Sequence, residues 1–476
     1  MNALRTLSHL TLAALLPALG ACATASAGRV QNDVAQTVSA RTAQAADWHA
    51  VSPDEQQVHE TVQRMLGDQL TLDEAVAIAL VNNRGLRAAL ARTGIARADL
   101  VQAGLLENPS FGFSLLDGDE GTEREFSVFQ DFLGVFTLAA RRNLAAHELE
   151  RTRLEVAQQA LDLIGEVKQT YYALVADRQA IGLYDQVLDA TEAAAELAGR
   201  QYRAGTLSLR EQSLHQSFHA QAALDAARAQ ARFGVDRERL NRLLGLWGEN
   251  TAWTLPERLP DVPAALPESA ALESRAVRQR LDLAAHRKGV EAVNLALGYT
   301  RQTRWLSALG IGFTVERGGD GSYARGPEIE LGLPLFDRGQ GRLARLQAQL
   351  EEAEARYAQH AIDVRAQVRE AYTRVEAAHG AMMHYREAVL PLAERVADET
   401  LKFYNGMLVG VYELLAAKQS QIGAAREYIS TWRDYWVAWT ELERAIGGDL
   451  APAHAATASP SAPPPADVTE HQHGEH

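Results

Sequence analysis

The chain of 476 residues contains a single cysteine, Cys22, so it cannot close an internal disulfide. Long hydrophobic runs are also missing. Beyond the N-terminus no stretch approaches the roughly 20 apolar residues of a membrane-crossing helix, so any crossing must use strands closed into a barrel. Excess positive charge is lacking: acidic residues outnumber basic ones 61 to 47, the formal net charge is −14 and no basic cluster stands out, which argues against a nucleic-acid partner. Catalytic constellations are wanting too. No nucleophile, base and orienting acid share a recognisable context, and Gly318-Gly319-Asp320-Gly321 reads as a turn between strands rather than a phosphate cradle opening a helix. The expectation is a protein without enzymatic activity and without a cofactor.

The lone cysteine ends the segment MNALRTLSHLTLAALLPALGAC. Arg5 supplies a positive head, an apolar stretch follows, and Gly20 and Ala21 are small. Residues 1–21 therefore read as an export signal. Leu19-Gly20-Ala21-Cys22 resembles the lipobox of bacterial lipoproteins, which implies that Cys22 becomes the first mature residue and carries acyl chains; cleavage without lipid is the alternative. Residues 22–69, rich in Ala, Thr, Gln and Ser and lacking sustained periodicity, read as a lipid-anchored tether or a strap along the surface.

Two stretches of like plan follow, residues 70–248 and 268–448. The first opens with LTLDEAVAIALVNNRGLRAALARTGIARADLVQAG, where Thr71 and Glu74 have the spacing of a helix capping box. At about 109–133 the apolar period changes to two through Phe111, Phe113, Leu115, Phe126 and Val128, with a charged turn at 117–121: a β-hairpin. A helical run then extends from about Leu138 to Ala204, about 100 Å at 1.5 Å per residue. Gly205 ends it, and a second helix covers 209–244. After a linker at 249–267 with Pro256, Pro260, Pro263 and Pro267, the order recurs. Residues 268–300 read as helical, a second hairpin is predicted at about 307–335, and helices run to Gly406 and on to Gly447. Val167 and Tyr171 fall on Val368 and Tyr372, and Gly205 on Gly406, all 201 residues apart, which points to duplication of a whole domain. The tail 449–476, rich in Ala, Pro and His, is expected to be disordered.

Four strands per chain leave two bare edges, which a bilayer does not tolerate. Three copies give twelve strands, a plausible pore; two give eight, whose interior fills with side chains. The expected fold is mainly α with a transmembrane β part: a 12-stranded β-barrel and a long α-helical barrel formed by a homotrimer. Charged helical residues such as Glu166, Asp177, Arg178, Arg365 and Glu370 would line the tube or face water.

The opening segment at 70–110 and ELGLPLFDRGQGRLARLQAQLEEAEARY at 330–357 resemble the TolC family of outer-membrane efflux proteins, in particular its lipidated members serving drug or heavy-metal pumps. The resemblance covers about 70–448. It implies an outer-membrane channel of a tripartite efflux system, passively conducting small molecules or metal ions. Its implied partners are a periplasmic adaptor protein and an inner-membrane transporter of resistance-nodulation-division type. A duct for type I protein secretion and a non-conducting, lipid-anchored periplasmic scaffold are the alternatives.

The same resemblance places Pro334, Gly339 and Gly341 at the barrel-to-tunnel junction, and the adaptor-contacting tips at Gly205, Thr206 and Leu207 and at Gly406, Met407, Leu408 and Val409. Both tip glycines are expected to end their helices in the left-handed conformation. Among fourteen histidines, His471, His473 and His476 in the terminal HQHGEH could capture a divalent metal transiently. His215 and His219, one helical turn apart, read better as a solvated face, and Met382-Met383-His384 as helix packing.

Overall fold

The computed structural model describes residues 27–450 apart from 46–47, 49–54, 68, 120, 264–265 and 306–307. Two helices occupy the segment read as a tether, α1 (Ala27–Ser39) and α2 (Glu55–Met65). Val34 and Val38 are buried on α1, as are Val58 and Val62 on α2, each pair spaced by one turn. So few apolar positions among small and polar residues give too weak a period to be read from the sequence, yet they suffice once a neighbouring surface exists to receive them.

Helix α3 (Leu72–Asn82) starts at the anticipated capping box: Glu74 N donates to Thr71 Oγ1 at 3.3 Å, and Thr71 N donates to Glu74 Oε2 at 2.9 Å. Asn83 breaks the chain and caps α4 (Arg84–Ala103) by accepting from Leu86 N at 2.9 Å. Strands β1 (Ser110–Gly118) and β2 (Gly121–Asp131) lead into α5 (Leu133–Arg203), whose 71 residues span about 105 Å. Helix α6 (Leu209–Leu244) returns alongside it.

The second stretch is more broken than its sequence suggests. Residues 268–300 form a 3₁₀ turn, α7 (Leu272–Gln279) and α8 (Leu281–Thr303), with extended Arg280 between the helices. Strands β3 (Ala308–Arg317) and β4 (Tyr323–Gly332) follow. The next helical column is α9 (Gln340–His384), a π turn (Tyr385–Val389) and α10 (Leu390–Asn405), before α11 (Val411–Ile446).

The cores lie at mid-height of the helical columns. One gathers Leu70, Val76, Leu80, Leu174, Leu240 and Leu244; the other gathers Val364, Val368, Val375, Tyr435, Leu442 and Ile446. The buried Tyr171 hydroxyl donates to Leu70 O at 2.9 Å, so the core's polar atom is satisfied. Met382 is packed in the first core, in keeping with the packing reading.

The proline-containing segment is pinned at Trp253 and at Pro260. Trp432 Nε1 and Trp436 Nε1 both donate to Pro260 O at 3.0 Å, and Trp253 Nε1 donates to Asn241 Oδ1 at 2.8 Å. The two ends of the described chain also meet. Asp449 Oδ2 accepts from Ala43 N at 2.8 Å, and Asp449 N donates to Arg41 O at 2.8 Å. Lys168 Nζ on α5 lies 2.9 Å from Glu443 Oε2 and 3.2 Å from Asp449 Oδ1. Burial opposes charge on Lys168, but the two carboxylates more than offset it and hold its pKa above the ordinary lysine value.

Candidate functional site

The four strands form one antiparallel sheet in the order β1-β2-β3-β4. Pairing β2 with β3 joins the two hairpins, with Val128 opposite Phe313 and Phe126 opposite Val315. Because strand side chains alternate, this register sorts the sheet into two faces. One carries Phe111, Phe113 and Leu115; Phe126 and Val128; Ile311, Phe313 and Val315; and Ile329 and Leu331. Most of these are exposed, including Phe111 at 68 % and Ile329 at 71 %, which is abnormal for large apolar groups in water. The rings of Phe113 and Phe126 lie 4.7 Å apart across the strands.

The opposite face is polar. It carries Ser114, Glu123, Glu125, Ser127, Thr314, Glu316, Glu328 and Glu330. Thr314 Oγ1 donates to Glu328 Oε2 at 3.0 Å across β3 and β4. The large apolar members of this face are Phe129 and exposed Leu116, and the Phe129 ring lies over Gly310, where a side chain would collide with it. Among the described residues no strand lies beside either outer edge, on β1 or β4. Among the described residues no helix is long and apolar enough to cross a membrane.

At the foot of the sheet β4 ends at Gly332, so Pro334 falls in the connection to α9 rather than in the ladder. Gly339 is the N-cap, with φ of 72°, and its N–H donates to Asp337 Oδ1 at 2.8 Å. Gly341 lies in the first helical turn facing open space. Leu333, Leu335 and Phe336 around this bend are exposed.

The other ends of the long helices carry the two tips. Gly205 is left-handed with φ of 74°, as expected, and Thr206 Oγ1 donates to Gln201 O at 3.0 Å. The second tip departs from the expectation: Gly406 has φ of −79°, and Met407 takes the left-handed position with φ of 58°. The turn has shifted by one residue, so a methionine carries the strain and points into solvent at 93 % exposure beside exposed Leu408. Leu207 and Val409 are half-buried. The Arg210 guanidinium lies 4.7 Å from the centre of the Tyr412 ring, so the two tips stand side by side.

Of the charged positions anticipated for a tube, Glu166, Arg178, Arg365 and Glu370 are exposed, whereas Asp177 is buried. Burial and neighbouring Asp236 push its carboxyl up to about 6 against the opposing pull of Arg232 and Arg433. His219 Nδ1 is 3.4 Å from Thr191 Oγ1, and burial lowers the pKa of His215. Among the described residues no group of three or more histidine, cysteine or acidic side chains is arranged to hold a metal. Cys22, His471, His473 and His476 lie outside the described residues.

Residues 268–448 match the family model for "Outer membrane efflux protein". The cobalt-zinc-cadmium resistance protein CzcC of Cupriavidus metallidurans is 23 % identical over 401 residues, covering 79 % of this chain and 90 % of that one. Among solved structures, the Campylobacter jejuni CmeC outer membrane channel superposes with a TM-score of 0.69 at 15 % identity, over 79 % of this chain and 85 % of that chain. The outer membrane protein VceC from Vibrio cholerae gives a TM-score of 0.67 at 19 % identity, over 82 % and 98 %. The family model covers the second stretch alone, the relative aligns along nearly its full length, and the fold is shared with solved channels: the chain is similar to outer-membrane efflux proteins of the TolC type.

Proposed function

We propose that three copies of this chain assemble into the outer-membrane exit duct of a tripartite efflux system. The observation that carries this reading is the sheet with one apolar and one polar face and two unpartnered edges, mounted on helices about 100 Å long. One chain cannot satisfy those edges in lipid. Three sheets joined edge to edge make a 12-stranded barrel, with apolar faces toward lipid and the glutamate-bearing faces toward the lumen. The helices then continue as a tube into the periplasm, in keeping with duplicated helix–hairpin–helix halves.

The paired tips are the surface for a periplasmic adaptor and, through it, an inner-membrane transporter of resistance-nodulation-division type. Exposed Met407 and Leu408 support this, because side chains standing in water at the end of a coiled hairpin gain nothing from being apolar. Acylation at Cys22 would tether each chain to the same membrane. The energy for transport comes from the partner, and the duct itself is passive.

The curated relative's name favours divalent metal ions as cargo. His471, His473 and His476 would then offer a weak capture site on the tail. Deleting the chain from its host should sensitise growth to cobalt, zinc or cadmium, and re-expression should restore tolerance. Unchanged tolerance to all three, with increased sensitivity to dyes or drugs instead, would overturn the metal assignment and keep the duct.

A further inference from the structure

The strand register creates an electrostatic conflict on the apolar face. Arg124 on β2 stands directly opposite Arg317 on β3, both exposed, at the end of the sheet farthest from the helices. Like charges directly opposed across a ladder are unfavourable. Arg325 on β4, opposite Val315, stands on the same face one row nearer the sheet centre. Among the described residues none of the three forms an ion pair. The acid nearest in register on this face is Asp117, and its Oδ1 already accepts from Thr122 Oγ1 at 2.7 Å. Glu123, Glu125 and Glu316 alternate with these arginines in sequence and therefore point to the other face.

The aromatic neighbour fits a boundary position. Tyr323 lies opposite Arg317, is 70 % exposed, and has its ring centre 5.2 Å from the Arg317 guanidinium. Tyrosine and arginine at the rim of an apolar band are the residues that meet lipid headgroups, the ring at the interface and the long stem reaching outward. Subunit pairing does not explain the opposition of Arg124 and Arg317, because β2 and β3 are the inner strands and have their own neighbours on both sides; Arg325 alone lies on an edge strand.

We propose that Arg124, Arg317 and Arg325 form an anion site for the phosphate groups of outer-leaflet lipid, at the rim of the apolar face. This rests on the barrel reading, and it adds a ligand that the barrel reading does not require. A phosphorylated glycolipid headgroup would neutralise the opposed guanidinium groups from the membrane side, and bidentate contacts suit arginine. With three chains, nine arginines would encircle the barrel.

The test uses the full-length protein purified in detergent, with diphosphoryl lipid A as the probe and phosphatidylcholine as the phosphomonoester-free control. Titration should give saturable binding of diphosphoryl lipid A, and the triple variant Arg124→Gln, Arg317→Gln, Arg325→Gln should bind it roughly tenfold to a hundredfold more weakly. Glu125→Gln, on the opposite face, should leave binding unchanged. Equal affinity of wild type and triple variant, or equal affinity for the two lipids, would overturn the proposal. A triple variant that loses its oligomer yet keeps lipid binding would assign the arginines to subunit contact and overturn it too. Protease protection of the strands in reconstituted vesicles reads the barrel separately: protected strands without lipid A selectivity sink this site alone, whereas unprotected strands sink both.

Discussion

Asp177 is the residue whose surroundings most alter its chemistry. It is on α5, with Asp236 of α6 nearby, and burial together with Asp236 raises its carboxyl to about 6. A carboxyl raised in the folded state contributes stability while protonated, and that contribution disappears as pH climbs from the ordinary value of 3.8 through about 6. Asp177→Asn should therefore change little at pH 4 and melt higher than wild type at pH 7, by roughly 1–3 °C after allowance for solvent screening. Thermal melts of both proteins across that pH range check the sign. A variant equally shifted at pH 4 and pH 7 would mean that packing, not charge, decides this position. Asp282 behaves in the opposite sense. Burial would raise it, but the Arg280 fork, nearby His360 and the Leu283 N–H bring it down to about 2, so its contribution holds above pH 4 and fails only as pH falls toward 2.

Between elements, the least expected feature is the clasp that joins the beginning and end of the described chain. Asp449 holds the turn after α1, reaches Lys168 on α5 and lies three residues beyond the end of α11. Lys168 is only 7 % exposed, so losing one of its two carboxylates leaves a buried charge half-compensated. Asp449→Ala should cost about 3 kcal/mol and release the segment around 40–45. Limited proteolysis should then cut that segment early, while α5 and α11 stay protected; an unchanged digestion pattern would remove the clasp from the account. The sequence disclosed the elements better than their joints. The long α5 from about Leu138 onward, the Thr71–Glu74 cap and the limits of α6 follow from helical period and capping chemistry alone, which are local, whereas the start of α5 at Leu133 does not follow from them. Helices α1 and α2 escaped because their few valines mean nothing without the surface that buries them. The π turn at Tyr385–Val389 and the break at Arg280 respond to tertiary packing, and the exchange of roles between Gly406 and Met407 depends on a one-residue choice that composition cannot make. The opposition of Arg124 and Arg317 was hidden for another reason: it exists only once β2 pairs with β3 across more than 170 residues of chain.

For the molecule as a whole, sidedness governs everything. The faces of the sheet differ in polarity, its edges are free, and the helices below it present charged residues such as Glu166 and Glu370 to solvent. A single chain with these properties would expose a greasy sheet and two strand edges, a combination that aggregates. In the proposed trimer three chains would resolve both problems in one step, and the lumen would inherit five glutamates from each sheet. The central claim is therefore the number of chains in the membrane-extracted particle. Its most direct measurement is the protein mass of the detergent-purified complex by light scattering with the detergent contribution subtracted. The account predicts three chains per particle at all protein concentrations tested, and a stable monomer whose strands are protected in detergent would contradict it.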